Sequence, residues 1–359
     1  MSRRGWTVCA RVLVVVLAVL GAGTVAAVAA EGDMFTKLLV GHLPVTGHAK
    51  LFVAKEEGFF REEGLDVELV QYANSADGVG ALCAGKLDVG AFGTVAPLVH
   101  IAGAAEIRII GGVMGEDAYV VARPENLDAL RTPADFRGRK IGTVRLSSSD
   151  AVMRGVLRRA GLSWRDDVQM VELSCPELVL EAVKNRHVDA GVVWGPHNLA
   201  AAADGLVVVV STADLFPGHT CCRLVVRADA LTEMRTVWPR FIRAVLRAER
   251  FVRETSNRER VLDAMARHLP MDRNMIAQAL YQGRLNQSSD PNVSAIKAIW
   301  DIMVESGFIH SDVDPLEYVL VDLYRQALTE LMQDEPGEPL WENMMREFEE
   351  RNVFPFTEK

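Results

Sequence analysis

Cysteine is scarce in this chain, with five among 359 residues. The body of the chain carries Cys83, Cys175, Cys221 and Cys222, too few for a fold that depends on disulfide bridges. One bridge remains possible, and spacing alone does not give its connectivity. The adjacent pair Cys221-Cys222 lacks the spaced histidine or cysteine partners of a metal site, which favours buried small side chains over a ligand-facing or metal-binding pair.

Positive charge is also in short supply. The 39 lysines and arginines stand against 48 aspartates and glutamates, which gives a formal net charge of -9. Nucleic-acid binding needs a basic surface, so this balance argues against a nucleic-acid partner. An anionic ligand would have to be held by local hydrogen-bond donors, and the lack of a cationic cluster disfavours a multiply charged anion.

Long apolar runs are absent except near the N-terminus. Arg3, Arg4 and Arg11 supply a basic start, residues 12–20 are apolar, and residues 27–30 are mostly small. This pattern predicts a secretory signal peptide over residues 1–30, cleaved near Ala30, and the apolar run is shorter than the roughly 20 residues that cross a bilayer. We therefore expect an exported, periplasmic protein, with the Sec and twin-arginine routes both open.

Short β-branched runs alternate with helical patterns from Lys37 onward, which predicts an α/β fold with parallel sheets. A break at Arg123-Pro124 and a return near residues 211–222 indicate two crossings between two lobes, which together make a hinge. We expect a discontinuous first lobe (residues 31–122 and 222–333) and a second lobe (residues 123–221).

The last third of the chain has helical spacing almost throughout. We expect its helices to pack back on the first lobe, at residues 237–254, 257–268, 273–280 and 293–306. An acidic C-terminal tail follows over residues 334–359 and either folds over the body or protrudes.

Three segments occur in the order found in one family of transport proteins. Residues 38–70 read LLVGHLPVTGHAKLFVAKEEGFFREEGLDVELV, residues 81–94 read ALCAGKLDVGAFGT, and residues 188–196 read VDAGVVWGP. This order resembles the periplasmic substrate-binding proteins of nitrate, sulfonate, taurine and bicarbonate ABC transporters, which are related to thiamine-pyrimidine-precursor binding proteins.

The resemblance implies a type II periplasmic binding protein, an α/β molecule whose ligand cleft lies between two lobes. Such a protein closes on a small molecule by hinge motion and delivers it to an ABC transporter permease in the membrane. It also implies a monomer with no cofactor, metal site or catalytic residue.

Ligands in such lobes lie beyond the carboxyl ends of the strands, beside helix N-termini whose free N–H groups favour anions. In the first lobe, the loops at these positions contain Thr46, Gly47 and His48, and then Gly93 and Thr94. We predict that these residues contact the ligand. For the first loop the alternative is an ordinary helix cap at Thr46 or Gly47.

The second lobe offers a serine-rich helix start. Ser147, Ser148 and Ser149 supply hydroxyl groups and unpaired amides that suit a carboxylate, sulfonate or phosphate-like group, and Arg145 would add charge. The alternative is a serine N-cap with a solvated arginine.

The segment after the VDAGVVW strand adds two candidates. Trp194 is predicted to wall the cleft and His197 to hydrogen-bond the ligand, unless the indole belongs to the core. Many members of the resembling family carry an acidic residue where Gly195 stands here, so its absence disfavours an amino-sulfonate such as taurine.

Met114, which follows a predicted strand end, and Thr220, which borders the predicted return crossing, are further candidate contacts. Glu116 and Asp117, which follow Met114, are expected in a solvated turn more than at a cationic ligand. His219, beside Thr220, borders the same hinge.

The candidate ligand is, first, a small anion or organosulfonate and, second, a neutral pyrimidine or vitamin precursor. A pyrimidine-precursor synthase is the rival from another class. His42, His48 and His197 lie near predicted loops, but the sequence contains no recognisable set of nucleophile, base and orienting group. A ligand-sensing protein would use the same closing clamp and stays open as an alternative.

Overall fold

The computed structural model describes residues 35–352, which contain two five-stranded sheets. The predicted signal peptide lies outside the described residues. The first sheet contains β1 (Thr36–His42), β2 (Leu65–Gln71), β3 (Val89–Gly93), β4 (Ile107–Gly115) and β10 (Thr220–Arg227). The second contains β5 (Ala118–Ala122), β6 (Lys140–Val144), β7 (Gln169–Leu173), β8 (Ala190–Trp194) and β9 (Val207–Ser211).

Both sheets follow the same scheme. In the first, with order β2-β1-β3-β10-β4, β1 pairs in parallel with β2 and β3, and β10 runs antiparallel between β3 and β4. In the second, with order β7-β6-β8-β5-β9, β6 pairs in parallel with β7 and β8, and β5 runs antiparallel between β8 and β9. The predicted α/β fold is therefore confirmed, but the expectation of parallel sheets is wrong in part, because β5 and β10 each run antiparallel to both neighbours.

The chain passes from the first sheet to the second between β4 and β5, and returns between β9 and β10. The sequence analysis grouped residues up to 122 with the first lobe, whereas β5 pairs within the second sheet. All five residues of β5 are buried, and an apolar run of this kind fits a central strand of either sheet equally well. The turn that redirects the chain is Glu116-Asp117, where both residues have left-handed backbone angles (φ 58° and 63°).

Helices cover the sheets and fill the C-terminal third of the described chain. Along the sheets they are α1 (Ala49–Glu56), α2 (Phe59–Glu62), α3 (Ser75–Cys83), α4 (Val95–Ala102), α5 (Ser148–Arg159), α6 (Pro176–Lys184), α7 (His197–Ala203) and α8 (Thr212–Leu215). After β10 follow α9 (Ala228–Glu233), α10 (Val237–Arg253), α11 (Arg258–His268), α12 (Arg273–Gln282), α13 (Val293–Glu305), α14 (Asp322–Asp334) and α15 (Pro339–Arg351).

Helix α10 is the centre of the C-terminal region. Trp238, Phe241 and Val245 recur at helical spacing and are fully buried, so one face of the 17-residue helix joins the core. Arg243 and Arg247, on another face, both donate to the buried carboxylate of Glu63 at the end of α2. The helix thus ties the C-terminal region to the first sheet's side of the molecule.

The end of the described chain packs on the body and does not protrude. Helix α15 buries Trp341 completely, and Phe348 stacks on Tyr324 of α14 with ring centroids 5.5 Å apart. Tryptophan and phenylalanine burial of this size is a main source of folding free energy. Of the two alternatives for residues 334–352, the structure has the folded one.

A charged pair is buried between α1 and α10. Lys50 donates to Glu249 (3.0 Å) and to the Ser289 hydroxyl (2.8 Å), and both charged side chains are fully buried. Burial lowers the pKa of Lys50 to about 8, while Glu249 opposes that shift.

Among residues 35–352 no helix has both the length and the apolar character needed to cross a membrane.

Candidate functional site

A small cavity lies where the ends of strands from both sheets meet. About 30 Å³ of it admits the centre of a water molecule, which is room for one or two waters in this conformation. Its wall comes from the loop after β1, the starts of α3 and α5, the ends of β3, β4 and β8, the two crossings, and the starts of β5 and β10. The lining residues are Leu43, Val45, Ser75, Gly93, Met114, Glu116, Ala118, Ser147, Ser148, Ser149, Trp194, His219, Cys221 and Cys222.

The start of α5 forms the serine wall of the cavity, defined by Ser147, Ser148 and Ser149. Ser147 is the N-cap, whose hydroxyl accepts a hydrogen bond from the Asp150 amide (3.1 Å), and the Ser149 hydroxyl lies 3.1 Å from it. Ser148 donates to the Cys221 carbonyl (2.9 Å), which attaches α5 to β10. The structure therefore places all three predicted serines in the wall, whereas Arg145 is exposed and outside it.

Thr94 and Thr220, both predicted to contact the ligand, do not line the cavity. The Thr94 hydroxyl donates to the Cys221 carbonyl (2.5 Å) and lies 3.2 Å from the Thr220 hydroxyl, and both side chains are almost fully buried. Gly93, one residue earlier, does line the cavity, and its amide donates to the Ser75 hydroxyl (2.9 Å). The two threonines hold β3 against β10 in this conformation.

Thr46, Gly47 and His48 do not line the cavity either. They form a short 3₁₀ turn whose three residues are buried. Val45 and Leu43 line the cavity in their place. A Cβ atom at Gly47 would come within 2.0 Å of the Met114 sulfur, so glycine allows Met114 to reach the wall. His48 accepts from the Leu43 amide (3.2 Å), and its complete burial lowers its pKa well below the ordinary value, which keeps the ring neutral.

Trp194 lines the cavity, as predicted. Its indole Nε1 is buried and has no hydrogen-bond partner among the described residues. A buried donor without an acceptor is unusual in a folded protein, because it costs about 1–3 kcal/mol. His197 packs edge-on against the indole (ring centroids 6.1 Å apart) and faces Glu177, so it supports Trp194 and does not line the cavity.

The crossing after β4 brings Met114 and Glu116 to the wall. Glu116 accepts a hydrogen bond from the Gly218 amide (2.8 Å), which joins the two crossings. Asp117 was expected in a solvated turn, but it is 1% exposed, and burial raises the pKa of its carboxyl to about 7. Tyr119 donates to one carboxyl oxygen (3.3 Å), and the other has no partner in the described part of the chain.

Asp117 occupies space beside Gly195. A Cβ atom at Gly195 would lie 2.8 Å from the Asp117 carboxyl, so a larger side chain at position 195 would have to displace it. Asp117, in the turn of the first crossing, thus lies beside Gly195 but outside the cavity wall.

Cys221 and Cys222 both face the cavity, and their sulfurs lie 3.7 Å apart. All four cysteines of the described chain are free thiols. The hydrogen bond with Cys221, together with burial, raises the pKa of Cys222 well above its ordinary value. No group of three or more histidine, cysteine, aspartate or glutamate side chains within residues 35–352 is arranged to hold a metal ion.

Sequence reasoning missed Leu43, Val45, Ser75 and Ala118 as wall residues, and left His219 as a hinge neighbour. It also favoured a core role for Cys221 and Cys222, which line the cavity. Ser75 begins α3, directly after β2, and a hydroxyl at a strand-to-helix junction was the available signal. His219 contacts the Thr212 hydroxyl through Nε2 (3.0 Å), which links the start of α8 to the return crossing.

Comparison with known proteins places these features in a family. A family model described as NMT1-like matches residues 32–266. The chain belongs to the NMT1-like family. A Brucella abortus protein, provisionally named a binding protein, is 28% identical over 283 residues, which cover 76% of this chain and 86% of that one.

Solved structures of the same fold include two periplasmic binding proteins. The alkanesulfonate-binding protein SsuA from Xanthomonas axonopodis pv. citri, bound to MOPS, superposes with a TM-score of 0.69 at 21% identity, covering 82% of this chain and 100% of that one. The nitrate-binding protein NrtA from Synechocystis PCC 6803 has a TM-score of 0.73 at 17% identity, covering 89% of this NMT1-like chain and 99% of NrtA. The predicted resemblance and the periplasmic binding protein fold are thus confirmed.

Proposed function

We propose that this NMT1-like protein is the exported solute-binding component of an ABC importer. It captures a small molecule between its two sheets and presents the closed form to a permease in the membrane, acting as a monomer and without chemistry on the solute. Family membership and the cavity at the strand ends of both sheets support this function.

The proposed lobes follow the sheets, with residues 35–115 and 220–352 in one and residues 118–211 in the other. The crossings at Glu116-Asp117 and at residues 212–219 join them, and two crossings define a hinge. The serine wall touches β10 through the bond from Ser148 to Cys221, so this contact between lobes forms on closure. A solute stabilises the closed form only through contacts that the open form lacks.

The proposed solute is a small organic monoanion, of the sulfonate or carboxylate class, with a short apolar part. The unpartnered indole Nε1 of Trp194, in the same wall as the N-terminus of the 12-residue helix α5, is the observation that carries this assignment. Hydroxyl groups and helix-terminal amides hold one negative charge without a basic residue, and the wall contains no lysine or arginine among the described residues. Leu43, Val45 and Met114 supply the apolar side.

A neutral nitrogen heterocycle is the second candidate. Glu116 is the one charged group among the described lining residues, and its carboxylate would accept a hydrogen bond from a ring N–H. Trp194 would stack on the ring in this case.

A thermal-shift screen of residues 31–359 tests the proposal with nitrate, bicarbonate, short alkanesulfonates, taurine, carboxylates and pyrimidines. A solute at 100 times its dissociation constant adds about 2.7 kcal/mol to the free energy of unfolding. We expect the largest shift with an alkanesulfonate or carboxylate.

Ser149→Ala should reduce that shift, because Ser149 lines the cavity and the one hydrogen-bond partner of its hydroxyl among the described residues is the Ser147 hydroxyl. The matched control is Ser294→Ala on α13, an exposed serine that bonds Asn292. Absence of any shift across the panel, or a shift unaffected by Ser149→Ala, would contradict the proposed site.

A further inference from the structure

The start of β10 carries two adjacent cysteines that face the same way. In a regular strand, successive side chains point to opposite faces of the sheet. The pairing of β10 with β4 shifts register between Thr220 and Cys222 and again between Cys222 and Arg223, so the strand is irregular at this point. Both residues line the cavity, and their sulfurs lie 3.7 Å apart.

This sulfur spacing suits one bridging atom better than a direct S–S bond. A disulfide needs about 2.05 Å between sulfurs and usually at least about 4.4 Å between Cα atoms, whereas consecutive Cα atoms lie about 3.8 Å apart. The two sulfurs are in ordinary van der Waals contact at 3.7 Å, so a single atom bonded to both would bridge them after a small rotation of the side chains.

Zinc itself does not fit, because a structural zinc ion needs four protein ligands and a catalytic one needs three. The described residues provide no group of three histidine, cysteine, aspartate or glutamate side chains. An atom that bridges this pair is therefore one that two thiols satisfy and that brings its own third substituent. Trivalent arsenic with one methyl group meets both conditions.

The surroundings of the two thiols suit that methyl substituent. Met114 is the strand partner of Cys222 on β4, and Leu43, Val45 and Ala118 line the same cavity. A methyl group in this place would contact apolar side chains and the polarizable thioether of Met114.

We propose that Cys221 and Cys222 form a vicinal dithiol site in the wall of the cleft that binds a trivalent organoarsenical of the methylarsonous acid class. Both S–H bonds break and two As–S bonds form, while the two hydroxyl groups of the arsenical leave as two molecules of water. Arsenic stays trivalent, so the step needs no oxidant or reductant. The bound arsenical occupies the cavity and excludes the solute; this last part alone rests on the proposed function.

The test uses the mature chain with Cys83→Ser and Cys175→Ser, which leaves the pair as its only thiols. The folded protein is treated with methylarsonous acid in the presence of excess glutathione, and its intact mass is measured. We expect one adduct per chain, equal to the arsenical less two waters. Cys221→Ser and Cys222→Ser should each weaken binding at least about a hundredfold, because one thiol loses the advantage of an intramolecular second bond.

Three results would overturn the site: no adduct on the folded protein, an adduct of equal strength in either single-serine variant, or a purified protein whose pair is already joined as a disulfide. Solute binding is measured in parallel. An adduct that forms but leaves solute affinity unchanged would retain the dithiol site and refute its overlap with the proposed solute position. An adduct on a protein that binds no solute at all would refute the proposed function alone.

Discussion

Two clusters of buried polar groups in this NMT1-like protein differ in how completely they are paired. Between α1 and α10, Lys50, Glu249 and Ser289 exchange hydrogen bonds of 2.6–3.0 Å with one another. Around the cavity, Trp194 Nε1 and one Asp117 oxygen are just as buried but have no partner within residues 35–352. Paired clusters stabilise a fold, whereas an unpaired buried group costs free energy that a ligand or a proton can recover.

The largest expected effect comes from breaking the paired cluster. Lys50→Met should lower the free energy of unfolding by up to about 3–5 kcal/mol, because it leaves the buried Glu249 charge with Arg253 as its one remaining cation among the described residues. Urea unfolding followed by circular dichroism measures the change. Lys297→Met on α13 is the control, since its ion pair with Asp301 is about half exposed and should contribute less than about 1 kcal/mol. Equal losses in the two variants would refute the contrast.

The second prediction concerns the unpaired carboxyl of Asp117. Its pKa is about 7 in the folded protein and about 3.9 when unfolded, so the folded state binds more protons between these values. Stability should therefore fall as pH rises from about 4 to about 7, by at most about 4 kcal/mol, and this contribution should stay constant above that window.

Asp117→Asn should remove that part of the slope, because the amide cannot ionise and still accepts from Tyr119. Asp301→Asn, at the exposed pair with Lys297, should leave it in place. Urea unfolding at several pH values gives both slopes. A slope in Asp117→Asn identical to that of the unmodified protein would show that Asp117 ionises normally.

The third and smallest effect separates two tryptophans. Trp194→Phe keeps an aromatic ring and removes a donor without a partner, so the relieved cost of that donor offsets the packing lost with the smaller ring. Stability should therefore stay level or rise, while solute affinity falls about tenfold. In Trp164→Phe the lost donor is bonded to the Ser306 carbonyl (2.8 Å), so stability should fall by about 1 kcal/mol with affinity unchanged. Urea unfolding and calorimetric titration measure the two quantities, and the opposite pattern would contradict the role given to Trp194.

The sequence was sufficient for the fold class and for part of the wall. Apolar β-branched runs predict strands, and ligands in α/β lobes lie at strand ends, so Gly93, Met114, Trp194 and the serine wall were found from position alone. Position does not reveal which way a side chain points. Thr94, Thr220 and His48 occupy the expected loops but face the protein, where hydrogen bonds hold them.

The rest depended on pairings between distant segments. The partner of β5 could not be read from AYVVA, since a fully buried strand has no polar face to orient it. Likewise, the shared orientation of Cys221 and Cys222 arises from register shifts against β4, about 110 residues earlier in the chain. The local sequence pattern of one strand does not predict register shifts against a distant strand.

The most direct test of the account compares two ligands of nearly equal size, ethanesulfonate and the neutral ethyl methyl sulfone, by calorimetric titration of residues 31–359. If the N-terminus of α5 and the Trp194 indole bind a negatively charged group, the sulfonate should bind at least about tenfold more tightly than the sulfone. The difference in affinity between the two ligands should be smaller in Trp194→Phe. Equal affinity for the two ligands, or tighter binding of the sulfone, would contradict an anion-binding cleft and favour the neutral class of solute.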